Sequence, residues 1–219
     1  KETIVGGQVI YPVCDENWRM SEERWQTVDE AVTRARARDK DIEIYPSIYL
    51  GGSLVLGANK PGVAALLKEL PPVENYPFQL INHAAFHTPL MVETAEKAFR
   101  KLSRDLFSAP GIPMIDGRGA IWQPYSTNVD DLYHYTLGHQ VVEVYDFTKA
   151  ITVALKEFAP DHLVLLGPGS SLGGSLGQVM IENKWKNLDS KASFAKLQAE
   201  DPFVLAMGRA DQRGRAVKP

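Results

Sequence analysis

Ile42-Glu43-Ile44-Tyr45-Pro46-Ser47-Ile48-Tyr49-Leu50-Gly51-Gly52-Ser53-Leu54-Val55-Leu56-Gly57 is the stretch that sets the architecture. Ile42 to Ile48 alternates apolar and polar side chains, the period of a strand with one face covered. Gly51-Gly52 marks a turn, and Ser53 to Gly57 reads as a second strand following directly on the first. Upstream, Val9 to Val13 is a short β-rich run. Ser21-Glu22-Glu23-Arg24 then opens a helix, with Ser21 able to cap it and acids in the first turn. Trp25, Val28, Ala31, Val32 and Ala35 continue that helix at helical spacing. Downstream, Asn59-Lys60-Pro61 starts a second helix with proline in its first turn, and Pro71-Pro72 stops it. Phe78 to Ile81 supplies a fourth strand. The order β-α-β-β-α-β is that of a ferredoxin-like split unit, placed at residues 1–82.

The next segment changes task. His83-Ala84-Ala85-Phe86-His87-Thr88-Pro89-Leu90-Met91 follows the fourth strand and precedes a helical pattern from about Val92 to Leu106. A histidine held between a strand and a helix sits at a fixed height, the placement that a general base with a near-neutral pKa requires. The competing reading of His87 is a loop histidine without a task. His83 lies four residues before His87, which would suggest a metal pair on a helix, but Pro89 and the strand argue against a helix there.

From residue 83 onward the pattern fits part of a parallel α/β sheet covered by helices, assigned to 83–182. Phe107 to Ile115 is a loop into a short strand, and Val129 to Leu137 an amphipathic helix. Asp146 to Phe158 is a stronger helix, with Phe147, Ile151, Ala154 and Leu155 on one stripe. His162 to Leu166 is an apolar strand ended by Gly167-Pro168-Gly169, and a helix follows from Leu172 to Ile181. Residues 183–219 are polar and mixed and read as a C-terminal tail. Asp116 and Arg118, in Asp116-Gly117-Arg118-Gly119, read as turn residues.

Composition removes several classes of function. A net charge of −3 gives no electrostatic case for nucleic acid or an anionic membrane. The basic cluster Arg34, Arg36, Arg38 is flanked by Asp29, Glu30, Asp39 and Asp41, as on a solvated helix face. No apolar run approaches the ~20 residues of a membrane span. One cysteine, Cys14, excludes an internal disulfide and suits a reducing, cytoplasmic compartment. Lys1 is not an initiator residue, which predicts a trimmed or partial polypeptide.

Four stretches resemble the acyltransferase family typified by malonyl-CoA:acyl carrier protein transacylase. They are Gly51 to Gly57; Ala85-Phe86-His87-Thr88-Pro89-Leu90-Met91; Gly138-His139-Gln140 with Phe147-Thr148-Lys149; and Leu166-Gly167-Pro168-Gly169 with Leu172. The resemblance covers about residues 40 to 180 and corresponds to the C-terminal part of that family's α/β-hydrolase-like domain with its ferredoxin-like small subdomain. It implies that His87 is the base for a serine nucleophile and that the Gln140 main-chain carbonyl orients the imidazole. It implies that Phe86, beside the base, contacts an unbranched malonyl unit; the alternative is a packing aromatic. It also implies acyl-CoA as substrate, with no further cofactor or metal, and acyl carrier protein as partner.

The family's Gly-x-Ser-x-Gly turn, its carboxylate-binding arginine and its oxyanion glutamine would all lie before Lys1. The expectation is therefore a portion lacking the nucleophile, with an N-terminal part supplied elsewhere. Two rivals accompany it: an acyl hydrolase on the same fold, and a non-catalytic scaffold or docking module. Gly169-Ser170-Ser171-Leu172-Gly173 formally fits a nucleophile elbow with Ser171. However, the hydrolase order puts the histidine after the serine, and the surrounding glycines equally suit close helix–strand packing. They also lack the lysine of a phosphate loop.

Overall fold

A computed structural model describes residues 4–167 and 169–217. Its first half is β1 (Gly7–Pro12), α1 (Glu22–Arg38), β2 (Ile44–Leu50), β3 (Ser53–Ala58), α2 (Lys60–Glu69) and β4 (Phe78–Leu80). The strands form an antiparallel sheet in the order β4-β1-β3-β2, the arrangement of the expected ferredoxin-like unit. Ser21 caps α1 by accepting from the Arg24 N–H, and Asn59 caps α2 by accepting from Gly62. Both helices cover one sheet face. Val28, Ala31 and Ala35 of α1 and Val63 and Leu66 of α2 bury against Val9, Tyr11, Leu54 and Leu56. Each fully buried side chain of this size stabilises the fold by about 1.5–3 kcal/mol.

The second half runs α3 (Val92–Lys101), β5 (Met114–Ile115), β6 (Ile121–Trp122), α4 (Val129–His134), α5 (Gln140–Val142), β7 (Tyr145–Asp146), α6 (Phe147–Phe158), β8 (Leu163–Leu165), α7 (Leu172–Glu182), α8 (Lys191–Glu200), β9 (Val204–Ala206) and α9 (Ala210–Val217). β7 joins the sheet parallel to β2, with Ile48 opposite Tyr145. β5 and β6 form a separate hairpin whose turn is Asp116 to Ala120, so Asp116 and Arg118 are turn residues as read. Among the described residues no helix is long and apolar enough to cross a membrane.

Four expectations need correction. The helix after the histidine segment ends at Lys101, and a 3₁₀ turn at Arg104–Leu106 follows it. The helix expected from Val129 to Leu137 is α-helical only to His134; Tyr135–His139 is a π-helical turn leading into α5. The apolar strand β8 pairs in parallel with β9 alone among the described residues, as a two-stranded sheet. The supposed tail is not a tail: α8, β9 and α9 occupy it, and Phe194, Phe203 and Val204 bury against Leu155, Leu176, Val179 and Met180. Mixed polarity hid this because α8 shows mostly polar residues to solvent and closes the core with Phe194, while β9 is a buried run of only three residues.

β8 is the sparsely covered strand of its pair. All three residues of β9 are buried, whereas Val164 is 43% exposed and Leu166, just beyond β8, is 84% exposed. Pro168, of the Gly167-Pro168-Gly169 turn, lies outside the described residues.

The hairpin turn Gly51-Gly52 docks against the second half. Its amides donate to Thr148 Oγ1 at 2.9 Å and to Gln178 Oε1 at 2.8 Å. A Cβ on Gly51 would meet the Ser175 carbonyl at 2.6 Å, so these glycines allow close approach to α7 as well as the turn. Ahead of α1, Trp18 lies against Phe194 with ring centroids 5.7 Å apart.

Candidate active site

His87 occupies the loop between β4 and α3, in the left-handed region at φ 59°. A non-glycine residue there is uncommon and persists only where its surroundings hold it. They do so on both sides. The His87 N–H donates to the Val141 carbonyl at 2.8 Å, and its Nδ1 lies 2.5 Å from the Gln140 carbonyl oxygen. Both acceptors belong to α5, whose last carbonyls have no partner within the helix. The histidine therefore caps a helix C-terminus with main chain and side chain together.

The chemistry of this contact is directional. A carbonyl oxygen only accepts, so Nδ1 carries the proton, and in the neutral ring Nε2 keeps its lone pair. That is the tautomer of a general base. The helix end favours a positive imidazole once Nε2 has taken a proton. At rest, burial pushes the imidazole below its ordinary value of 6.5, and the Gln140 carbonyl pulls it partly back. The ring is thus neutral at pH 7 and ready to accept.

The shift has a measurable sign. Between the folded pKa and 6.5 the unfolded chain holds more protons on this group than the folded one. Its contribution to stability is complete above 6.5 and falls as pH drops through the window just below it. An NMR titration of the His87 ring is expected to give a midpoint below 6.5. A midpoint at or above that value would remove the desolvated setting.

The structure brings together the site residues read from sequence. His87 and Gln140 are in contact, and the Phe86 ring lies 6.3 Å from the imidazole and is 41% exposed. The π-helical turn is what delivers Gln140: it adds a residue to the α4–α5 run and rotates the following carbonyls, as such bulges do at functional sites. Gly138 within it lets the Phe99 ring of α3 approach, at 3.2 Å from where a Cβ would stand.

His83 goes elsewhere, with Nδ1 3.0 Å from Gln8 Oε1. Together with Gln8, Ile10, Ile48, Val55 and Leu80 it lines a groove of about 760 Å³ on the sheet face opposite α1 and α2. Ser171 lies along the same groove, exposed at the N-terminus of α7, with no hydrogen bond to His87 among the described residues.

Other side chains around His87 were not singled out from sequence. Tyr145 packs on the imidazole with centroids 5.4 Å apart. Gly117 makes room for it, since a Cβ there would stand 2.4 Å from the tyrosine ring. The hairpin carrying Gly117 is braced from below. The Gly117 N–H donates to the Tyr135 hydroxyl at 2.8 Å, and the Arg118 guanidinium lies 4.3 Å from the Tyr135 ring centre. Burial pushes the Tyr135 phenol up to about 12, so it stays neutral in this role. Gly57 does the same for the histidine loop: a Cβ there would meet Thr88 Cγ2 at 2.5 Å.

No protein-family model matches the sequence, and no curated protein does. Solved structures do. An acyl-carrier-protein S-malonyltransferase from Burkholderia pseudomallei 1710b superposes with a TM-score of 0.67 at 15% identity, over 100% of this chain and 60% of the other. A malonyl-CoA:acyl carrier protein transacylase from Xanthomonas oryzae pv. oryzae gives 0.64 at 19% identity, over 97% and 57%. The acyltransferase domain from the second module of the salinomycin polyketide synthase gives 0.62 at 19%, over 98% and 42%. The chain has the acyltransferase fold. It spans about three-fifths of the length of the two malonyltransferases.

Proposed function

We propose that this chain carries the general base of an acyl-transfer reaction that moves a malonyl or related acyl group from coenzyme A to an acyl carrier protein, in the cytoplasm. One observation carries the reading: on an acyltransferase fold, His87 donates its Nδ1–H to the Gln140 main-chain carbonyl, and Nε2 has no hydrogen-bond partner among the described residues. In this reading the nucleophile is a serine that a further segment of the enzyme brings to Nε2, as the family resemblance implies.

His87 Nε2 takes the serine proton as the oxygen attacks the thioester carbon. The C–S bond then breaks, and the imidazolium returns the proton to the departing coenzyme A sulfur. In the second half the carrier thiol gives its proton to Nε2 and attacks the acyl-serine ester. The C–O bond breaks and the serine oxygen is reprotonated. In this reading Gln140 holds the ring throughout and Phe86 contacts the acyl group. Acyl-CoA enters as substrate, and no resident cofactor or metal takes part.

The test combines the chain with a serine-bearing acyltransferase segment, malonyl-CoA and a phosphopantetheinylated carrier protein. The expected outcome is a carrier mass increased by one malonyl group. Malonate released to water without carrier loading would favour the hydrolase reading. A folded complex that does neither would favour a scaffold.

A further inference from the structure

We infer that Ser47 and Gln8 are positioning residues for His87, acting through the main-chain carbonyl of Phe86. The inference rests on the reading of His87 as the base and extends it to two side chains in the sheet.

The first observation is a break in the strand. β2 pairs regularly with β3 through Ile44, Tyr45 and Pro46, then shifts register before Ile48. Ser47 is the extra residue of a β-bulge. A bulge turns a side chain out of the alternation and is common beside active sites. Here it moves β2 from one face to the other. Ile44 and Tyr49, five positions apart, both belong to the core under α1 and α2, whereas Ile48 lines the groove.

The second observation is what the bulge aims at. Ser47 is fully buried and Gln8 is 2% exposed. Ser47 Oγ donates to the Phe86 carbonyl at 2.8 Å. Its proton being committed there, the same oxygen accepts from Gln8 Nε2, also at 2.8 Å. Gln8 Nε2 further reaches the Phe86 carbonyl at a long 3.5 Å. That orientation leaves Gln8 Oε1 as an acceptor, so His83 supplies the proton across their 3.0 Å contact. Each contact along the chain His83–Gln8–Ser47–Phe86 thus has a defined donor and acceptor. Buried polar groups are costly unless satisfied, and a satisfied network imposes one arrangement.

The third observation is where this carbonyl sits. The Phe86 C=O belongs to the peptide unit that enters His87, so fixing it fixes the torsion on the N-terminal side of a residue held at φ 59°. The His87 N–H of the same peptide unit is fixed from the opposite side by the Val141 carbonyl. One peptide plane is thus gripped by the sheet at its oxygen and by α5 at its nitrogen. Without the sheet grip the loop is free to leave the left-handed region, carrying Nδ1 away from Gln140.

The test reads the histidine tautomer in the 219-residue chain alone, so it does not depend on acyl transfer. Long-range ¹H–¹⁵N spectra at a pH above the His87 titration distinguish a protonated Nδ1 from a protonated Nε2. The unaltered protein is expected to show His87 as the Nδ1–H form. Ser47→Ala and Gln8→Met are each expected to lower that fraction at least about two-fold, as the freed ring samples its other tautomer. Ser53→Ala, in the neighbouring strand and outside the network, is expected to leave it unchanged. Ser47→Thr keeps the hydroxyl and is expected to restore the original pattern.

A cooperative thermal transition verifies folding of each variant, and Gln8→Met carries the test if Ser47→Ala fails to fold. A folded Ser47→Ala or Gln8→Met protein that keeps His87 wholly in the Nδ1–H form overturns the inference. The bond to Gln140 would then need only α5. If the inference holds while carrier loading fails, the positioning stands and the proposed reaction falls.

Discussion

Combined with a serine-bearing acyltransferase segment as in the proposed reaction, His87→Ala is expected to slow acyl-serine formation by about 10²–10⁴-fold, the usual contribution of a positioned general base. The substitution removes Nε2, the atom proposed to take the proton, and is expected to leave the fold otherwise intact. It also removes two things besides the base: the side-chain cap on the Gln140 carbonyl and a residue held at φ 59°. His87→Asn separates these effects, because asparagine tolerates the left-handed region better than alanine but cannot act as the base. Both variants are expected to unfold cooperatively and to load malonyl slowly in a rapid-quench assay. Loading at the normal rate by either folded variant would mean that another group takes the serine proton.

Phe203→Ala is expected to destabilise the protein by about 3–5 kcal/mol, the cost of deleting a buried aromatic side chain. Phe203 is 2% exposed, packs near Trp185 and His162, and leads into β9. Its carbonyl accepts from the Leu163 N–H at 3.0 Å, which links the segment to β8. Urea unfolding monitored by far-ultraviolet circular dichroism measures the change. A loss below about 1 kcal/mol, typical of a surface position, would return residues 183–219 to the status of a tail.

The two halves of the chain differ in how plainly their sequence speaks. The ferredoxin-like unit was legible because its strands alternate and its helices carry their own caps, Ser21 and Asn59. These are local signals. The pairing of His87 with Gln140 spans 53 positions and came only from resemblance, since no periodicity links a loop to a distant helix end. The π-helical turn was invisible because Val129 to Leu137 is apolar at ordinary α spacing, and tertiary packing added the extra residue. Ser47 and Gln8 look like unremarkable polar strand positions. Pro46 was the one available hint: a proline inside a strand pattern points to an edge or a bulge, and the bulge follows at the next residue. Phe194 and Phe203 were missed because their burial depends on α7 and β8 and not on their neighbours in sequence.

The thin cover over β8 has a consequence for how the isolated chain behaves in bulk. Among the described residues β8 pairs with β9 alone, so its other edge, beside the exposed Val164 and Leu166, offers main-chain groups on which an extended polypeptide can align. If that edge pairs with a second copy, self-association is expected to rise with protein concentration and to fall on dilution. A companion chain that lays a strand along β8 would act as a solubiliser first, whatever else it brings.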